Sequence, residues 1–285
     1  LLGFFFLSSQ SAKGNSPPTI STAIVSSISN SATSSESTIV PSPATTKTVY
    51  VFGTASDADG GLDISTVGVS FFRTTITYAG CDAANEENNN YCYRAGCTIT
   101  EASASSTNVH YECQIPLQYY ADATTGSGAY ATTTWTAIVK ATDVATATGD
   151  NTASPLLTEI GDIVAISIPS TYTWGTLELG TNTSSSTNAS LAVTQTGNTV
   201  ADIYLSGTDL TCTSGVMPVS YVSYVFTDTF GGTALSASST HISTFDLPLR
   251  TAGPVTKDIF WNLSVPETGV GGTCSGTVTV TSVGG

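Results

Sequence analysis

Between residues 109 and 117, Val109, Tyr111, Cys113, Ile115 and Leu117 alternate with His110, Glu112, Gln114 and Pro116. Successive side chains of a strand point to opposite faces, so this stretch predicts a strand with one apolar and one wet side. The same two-residue period recurs over residues 47–55 and 67–71, and at Trp135, Ala137, Val139 and Ala141. A further strand is expected over residues 20–25, just after Pro17-Pro18 interrupts regular structure. In the second half, strands are expected over residues 163–168, 174–179, 190–194, 201–205, 221–226, 242–249, 258–265 and 276–283. There Ile259, Trp261, Leu263 and Val265 share one face, with Asn262 and Ser264 on the other. Gly, Asn, Asp and Ser clusters separate the segments at intervals of roughly ten residues, the rhythm of antiparallel sandwiches. Apolar residues nowhere recur at helical spacing, so helix content is expected to be very low.

These patterns predict an all-β chain of two tandem immunoglobulin-like antiparallel β-sandwiches with an extended N-terminal strand. The expected division is residues 1–16 as an extended segment, 17–154 as the first sandwich and 155–285 as the second, since 285 residues suffice for about two cores. Trp135 and Trp261 are the expected core anchors, each able to bury ~150–250 Å². The alternation weakens over residues 144–154, where a sandwich needs its last edge strand. Either that edge is open to another chain, or residues 155–160 fill it.

Charge narrows the range of partners. Only 10% of residues are charged, yet the formal net charge is −14 with seven Lys+Arg in all. Phosphate backbones would be repelled, so nucleic acid is not an expected partner. The six cysteines fall as Cys81, Cys92, Cys97 and Cys113, then Cys212 and Cys274, an even number in each half. Even counts fit disulfides made outside the cytosol. The preferred pairing is Cys81 with Cys92, Cys97 with Cys113, and Cys212 with Cys274, although four cysteines allow three pairings in the first half.

The N-terminal run Leu1-Leu2-Gly3-Phe4-Phe5-Phe6-Leu7 carries no charge. It is far shorter than the ~20 apolar residues a membrane-spanning helix needs, and no other stretch approaches that length. One reading takes it as the end of a secretory signal, with Ser9-Gln10-Ser11-Ala12 as a small-residue cleavage site. The other buries Leu1, Leu2, Phe4, Phe5, Phe6 and Leu7 in a neighbouring copy as a donor strand. At ~1.5–3 kcal/mol per side chain, that burial contributes on the order of 10 kcal/mol before ordering costs.

Pro17-Pro18-Thr19-Ile20, Gly53-Thr54-Ala55-Ser56-Asp57-Ala58-Asp59-Gly60, Val67-Gly68-Val69-Ser70-Phe71-Phe72-Arg73 and Ala141-Thr142-Asp143 resemble bacterial immunoglobulin-like and cadherin-like surface modules. Tyr172-Thr173-Trp174-Gly175-Thr176-Leu177-Glu178-Leu179-Gly180, Thr196-Gly197-Asn198-Thr199 and Leu205-Ser206-Gly207-Thr208-Asp209-Leu210 look like a companion module. The pairing is similar to secreted surface proteins of bacteria and archaea. The resemblance implies a place at the cell surface rather than a reaction.

Asp57, Asp59 and Asp63, with Gly60 and Gly61, gather carboxylates in one tight loop. Such a loop supplies part of a calcium shell, although it lacks the bidentate Glu of an EF-hand. The alternative is a hairpin turn in which Asp and Gly satisfy the backbone. Asn182-Thr183-Ser184, Asn188-Ala189-Ser190 and Asn262-Leu263-Ser264 match the N-glycan acceptor pattern. No catalytic residue is expected, because the two histidines, His110 on the wet side of a strand and His241 in a turn, read as surface residues.

Two roles follow. The leading one is a structural subunit of an extracellular filament or pilus-like fibre, its partners being copies of itself and attached glycans. The alternative is a surface adhesin or carbohydrate-binding module using Tyr119, Tyr120 and Tyr130.

Overall fold

The computed structural model describes residues 14–29, 32–82, 88–100, 103, 105–126, 128–184 and 187–285. The donor candidates Leu1, Leu2, Phe4, Phe5, Phe6 and Leu7 lie outside them. The chain is nearly all β, in several sheets.

The first part contains β1 (Thr19–Ser26), β2 (Thr38–Ile39), β3 (Thr46–Ser56), β4 (Ile64–Arg73), the short helix α1 (Tyr78–Asp82), β5 (Cys92–Thr100), β6 (Asn108–Gln118), β7 (Trp135–Asp143), β8 (Thr148–Asp150) and β9 (Leu156–Ile160). Their order in the sheet is β1-β3-β6-β5-β4-β7-β9-β2, with β8 also beside β7. Alternation explains β6, where Val109, Tyr111, Cys113, Ile115 and Leu117 are all buried. On β7 both faces are covered. Trp135, Ala137, Val139 and Ala141 enter the main core, while Ile138 packs outward with Phe72, Cys81 and Cys92 in a small separate cluster. α1 and the Cys81–Cys92 bridge thus shield the face of β7 that alternation alone would leave to water.

Of the two alternatives for the edge after residue 143, the structure takes the filled one. β8 pairs with the C-terminal half of β7 at Lys140↔Asp150, and β9 pairs with its N-terminal half at Trp135↔Thr158. Ile160 is buried in the first core, so residues 156–160, placed by sequence in the second unit, join the first sheet instead. Gly149 allows this, since a Cβ there would stand 1.8 Å from the Pro18 carbonyl oxygen.

The second part contains β10 (Ile166–Ser167), β11 (Ala189–Gln195), β12 (Ala201–Gly207), β13 (Leu210–Ser214), β14 (Val216–Met217), β15 (Val222–Val225), β16 (Thr233–Ala234), β17 (Thr240–Leu247), β18 (Thr256–Leu263), β19 (Gly271–Ser275) and β20 (Val278–Gly284). They form sheets β10-β11-β18-β15-β16, β17-β12-β20 and β14-β13-β19 around a second core. Trp261 sits fully buried at its centre, with Tyr172 stacked at 5.8 Å and Tyr224 at 6.0 Å. The strand expected over residues 174–179 does not form. From Ile168 to Gly180 the chain joins no sheet, and Trp174 is held instead by its indole Nε1–H donating to the Trp261 carbonyl at 3.0 Å.

Three disulfides join Cys81 to Cys92, Cys97 to Cys113 and Cys212 to Cys274. The last two pairs are directly opposite in their ladders, Cys97↔Cys113 between β5 and β6 and Cys212↔Cys274 between β13 and β19. No helix among the described residues is long and apolar enough to cross a membrane.

Candidate functional site

Carboxylates converge where β3 ends, β4 begins and β7 ends. One oxygen each from Asp57, Asp63 and Asp143 lies within 4.8 Å of the other two. The loop between β3 and β4 turns at Gly60, whose φ of 126° suits glycine, and this brings Asp63 back toward Asp57. Asp143 arrives from β7, which pairs with β4 at Ile64↔Asp143. Asp57 is 1% exposed; its Oδ1 accepts the Asp59 N–H at 2.8 Å, while Oδ2 is buried and has no hydrogen-bond partner. Asp143 accepts the Ala147 N–H on Oδ1 and the Asn15 side-chain amide on Oδ2, both at 2.8 Å. Three like charges at this spacing repel by about 3 kcal/mol per pair at an effective dielectric of ~20. A counter-charge would offset that repulsion.

The sequence pattern grouped Asp57, Asp59 and Asp63, and the structure changes one member. Asp59 stands outside the triad and accepts the Ser16 N–H on Oδ2 at 2.7 Å. Asp143 replaces it. Proximity of Asp143 follows from the β4–β7 register rather than from any local motif, so short-range spacing in the sequence carries no sign of it.

A second polar cluster joins the two parts. Asn198, 3% exposed, donates through Nδ2 to the carbonyls of Ala121 and Gly161, both at 3.0 Å, and accepts the Ile163 N–H at 2.7 Å. Nearby, Asn90 Nδ2 donates to the Arg250 carbonyl at 2.7 Å, and Ala44 N–H to the Thr196 carbonyl at 3.0 Å.

The tyrosines proposed as a ligand surface serve the packing. Tyr119 is buried and accepts from Arg250 Nη1 at 3.1 Å, and Tyr120 lies under the same guanidinium. Tyr130 lies 3.4 Å from the Arg73 guanidinium. A shallow cleft of about 520 Å³ crosses the outer face of β4, β5 and β7. The cross-strand partners Gly68 and Gly96 form its floor, and Arg94 and Lys140 contribute to its lining.

His110 is exposed near the Thr54 hydroxyl, at 3.3 Å. His241 lies in β17 rather than in a turn, stacked on Tyr204 at 4.8 Å and 3.6 Å from Asp202 Oδ2. The glycan acceptors differ sharply. Asn182 is exposed, Asn188 is half-buried with Nδ2 donating to Asp228 at 2.8 Å, and Asn262 is 0% exposed. Asn262 Nδ2 donates to the Thr229 and Gly231 carbonyls, so the nitrogen a glycan would join is enclosed, which removes Asn262 as an acceptor in the folded chain.

No family model and no curated protein matches the sequence. Among solved structures, the chain is similar to a chain of the CsuC–CsuE chaperone and tip-subunit pre-assembly complex from archaic chaperone-usher Csu pili of Acinetobacter baumannii. That match has 12% identity and a TM-score of 0.38, covering 87% of this chain and 97% of the other. The C-terminal domain of the Streptococcus agalactiae AgI/II polypeptide BspA matches at 10% identity and a TM-score of 0.27, covering 93% and 96%. A chaperone–tip adhesin complex of CFA/I fimbriae matches at 12% and 0.29, covering 95% and 92%.

Proposed function

We propose that the chain is a structural subunit of an extracellular filament, built as two tandem immunoglobulin-like β-sandwiches. Its apolar N-terminal segment inserts as a donor strand into a neighbouring copy. Three disulfides in the described residues favour an oxidising location outside the cell. One observation carries the reading: the second core has an incompletely covered rim. Val164, Ile166 and Ile168 on one border and Val278 and Val280 of β20 on the other pack against that core yet are only partly buried. Both β10 and β20 are sheet edges, and Ser282 Oγ of β20 donates at 3.5 Å to the carbonyl of Val164, two residues before β10. The seven residues of β20 match the length of the apolar run at residues 1–7, each ~23 Å as a strand. The occupied edge beside β7 argues against acceptance by the first sandwich.

Head-to-tail insertion that does not close on itself yields fibres. Deleting residues 1–12 is expected to leave soluble monomers by electron microscopy and sedimentation. Filaments that still assemble would reject the donor role. Cysteines placed at Phe5 and Val280 are expected to cross-link different copies. Filaments that form without that cross-link would move the acceptor elsewhere.

The cleft over Gly68 and Gly96 is what favours the adhesin alternative, because it places cationic side chains over a recessed floor in an acidic chain. Binding of acidic glycans by the monomer, lost in Lys140→Ala, would support that role.

A further inference from the structure

Asp57 is buried, contributes an oxygen to a triad of carboxylates, and keeps Oδ2 without a hydrogen-bond partner. A buried carboxylate oxygen in that state is costly unless a cation or donor meets it. The dimensions admit calcium. Oxygens no more than 4.8 Å apart enclose a centre no more than about 2.8 Å from each, which the ~2.3–2.6 Å bonds of calcium to oxygen can meet with little movement. Magnesium, with a rigid octahedron, dehydrates reluctantly and is seldom caged by protein oxygens alone, so the donor set rather than the spacing favours calcium. All three ligands are hard oxygens, and calcium completes its six to eight positions with carbonyls and water.

We propose that Asp57, Asp63 and Asp143 bind one calcium ion, and that the ion fixes the point at which the chain enters the first core. The coupling runs through the same loops. Asn15 is hydrogen-bonded to Asp143, and the Ser16 N–H to Asp59, two residues from Asp57. Calcium that holds Asp57 and Asp143 in place therefore holds the residues from which the N-terminal segment departs. The site thus anchors Asn15 and Ser16, whatever the segment ahead of them binds.

The full chain, stripped with chelator and dialysed, is titrated with calcium chloride to about 5 mM, above the affinity range of extracellular calcium modules. Expected results are a saturable heat, a rise in Tm on the order of 5 °C, and slower proteolysis within residues 14–18. Asp57→Asn is expected to lose all three responses and Asp59→Asn to retain the heat. If Asp57→Asn fails to fold, the half-buried Asp63→Asn serves instead. Lys13, two residues ahead of Asn15, is the rival counter-charge in the sequence. A native protein indifferent to calcium, together with a Lys13→Gln variant of lower Tm, would assign the positive charge to lysine and overturn the proposal. Absence of heat and of any Tm change to 5 mM overturns it equally.

Discussion

The guanidinium of Arg250, from the second part of the chain, lies 3.9 Å from the ring centroid of Tyr120 in the first. Its Nη1 donates to the Tyr119 hydroxyl, and its backbone carbonyl accepts from Asn90. One residue thus fastens the parts by a cation–π contact and two hydrogen bonds. Contacts of these kinds are worth about 1–2 kcal/mol each when partly desolvated. Arg250→Ala is therefore expected to reduce coupling by on the order of 2 kcal/mol, so that the calorimetric endotherm broadens or splits. An endotherm identical to that of the native chain would show that Asn198 and the backbone contacts at Arg250 and Thr196 suffice to couple the two parts.

Asp122 gives stability a pH dependence. It pairs with Arg73, itself 6% exposed, at 3.2 Å from Nη1 to Oδ2. Burial pushes its carboxyl up to about 6 from an ordinary 3.8, against the opposing pull of Arg73 and Asn90. A folded state that binds the proton more tightly than the unfolded one is favoured by acid. The contribution is fully present below about 3.8 and is lost as pH rises through about 6. The slope within that window is at most about 1.4 kcal/mol per pH unit. Urea unfolding of the native chain and of Asp122→Asn, compared between pH 4 and 7, is expected to show the native chain losing ground to the variant as pH rises. A constant difference would mean that Arg73 holds the carboxylate ionised throughout.

Legibility in the sequence followed the local period. Residues 109–117 read directly as β6 because only one face is buried. β7 was equally legible at Trp135, Ala137, Val139 and Ala141; what the period did not show is that its other face is covered too, with Ile138 packed against Cys81 of α1 and Thr136 buried. Residues 174–179 have alternation enough for a strand, yet Trp174 is held by a hydrogen bond to Trp261 and the segment lacks a ladder partner. The acidic loop was visible as a cluster. Its third ligand was not, because Asp143 reaches Asp57 only through sheet register. Asn198 was similarly hidden, since its partners Ala121 and Gly161 are distant in sequence and are reached through carbonyls, which every residue has.

The disulfides differ in the chain they constrain. Cys212 and Cys274 are 62 residues apart, against 11 for Cys81 and Cys92. In the chain-entropy account, closing the longer loop stabilises by about 4 kcal/mol and the shorter by about 3 kcal/mol. Replacing Cys212 and Cys274 together by Ala is expected to lower the denaturation midpoint of the second part more than the Cys81 and Cys92 double variant lowers that of the first. Equal losses would indicate that packing of Cys81 and Cys92 against Phe72 and Ile138 outweighs loop length.

Burial also ranks the glycan acceptors. Glycan transfer joins sugar to the amide nitrogen, so the acceptor must be free of its own hydrogen bonds and reachable. Asn182 is exposed, whereas Asn262 is enclosed between the Thr229 and Gly231 carbonyls, and Asn188 would have to release Asp228. In a host that adds N-linked glycans to folded chains, peptide mapping is expected to find sugar at Asn182, less at Asn188 and none at Asn262. Asn262→Asp should then leave the glycan mass unchanged while destabilising the chain by about 1–3 kcal/mol, because the new carboxylate cannot donate to either carbonyl. Sugar recovered at Asn262 would show that modification precedes folding of β18, since the finished strand leaves no room for it.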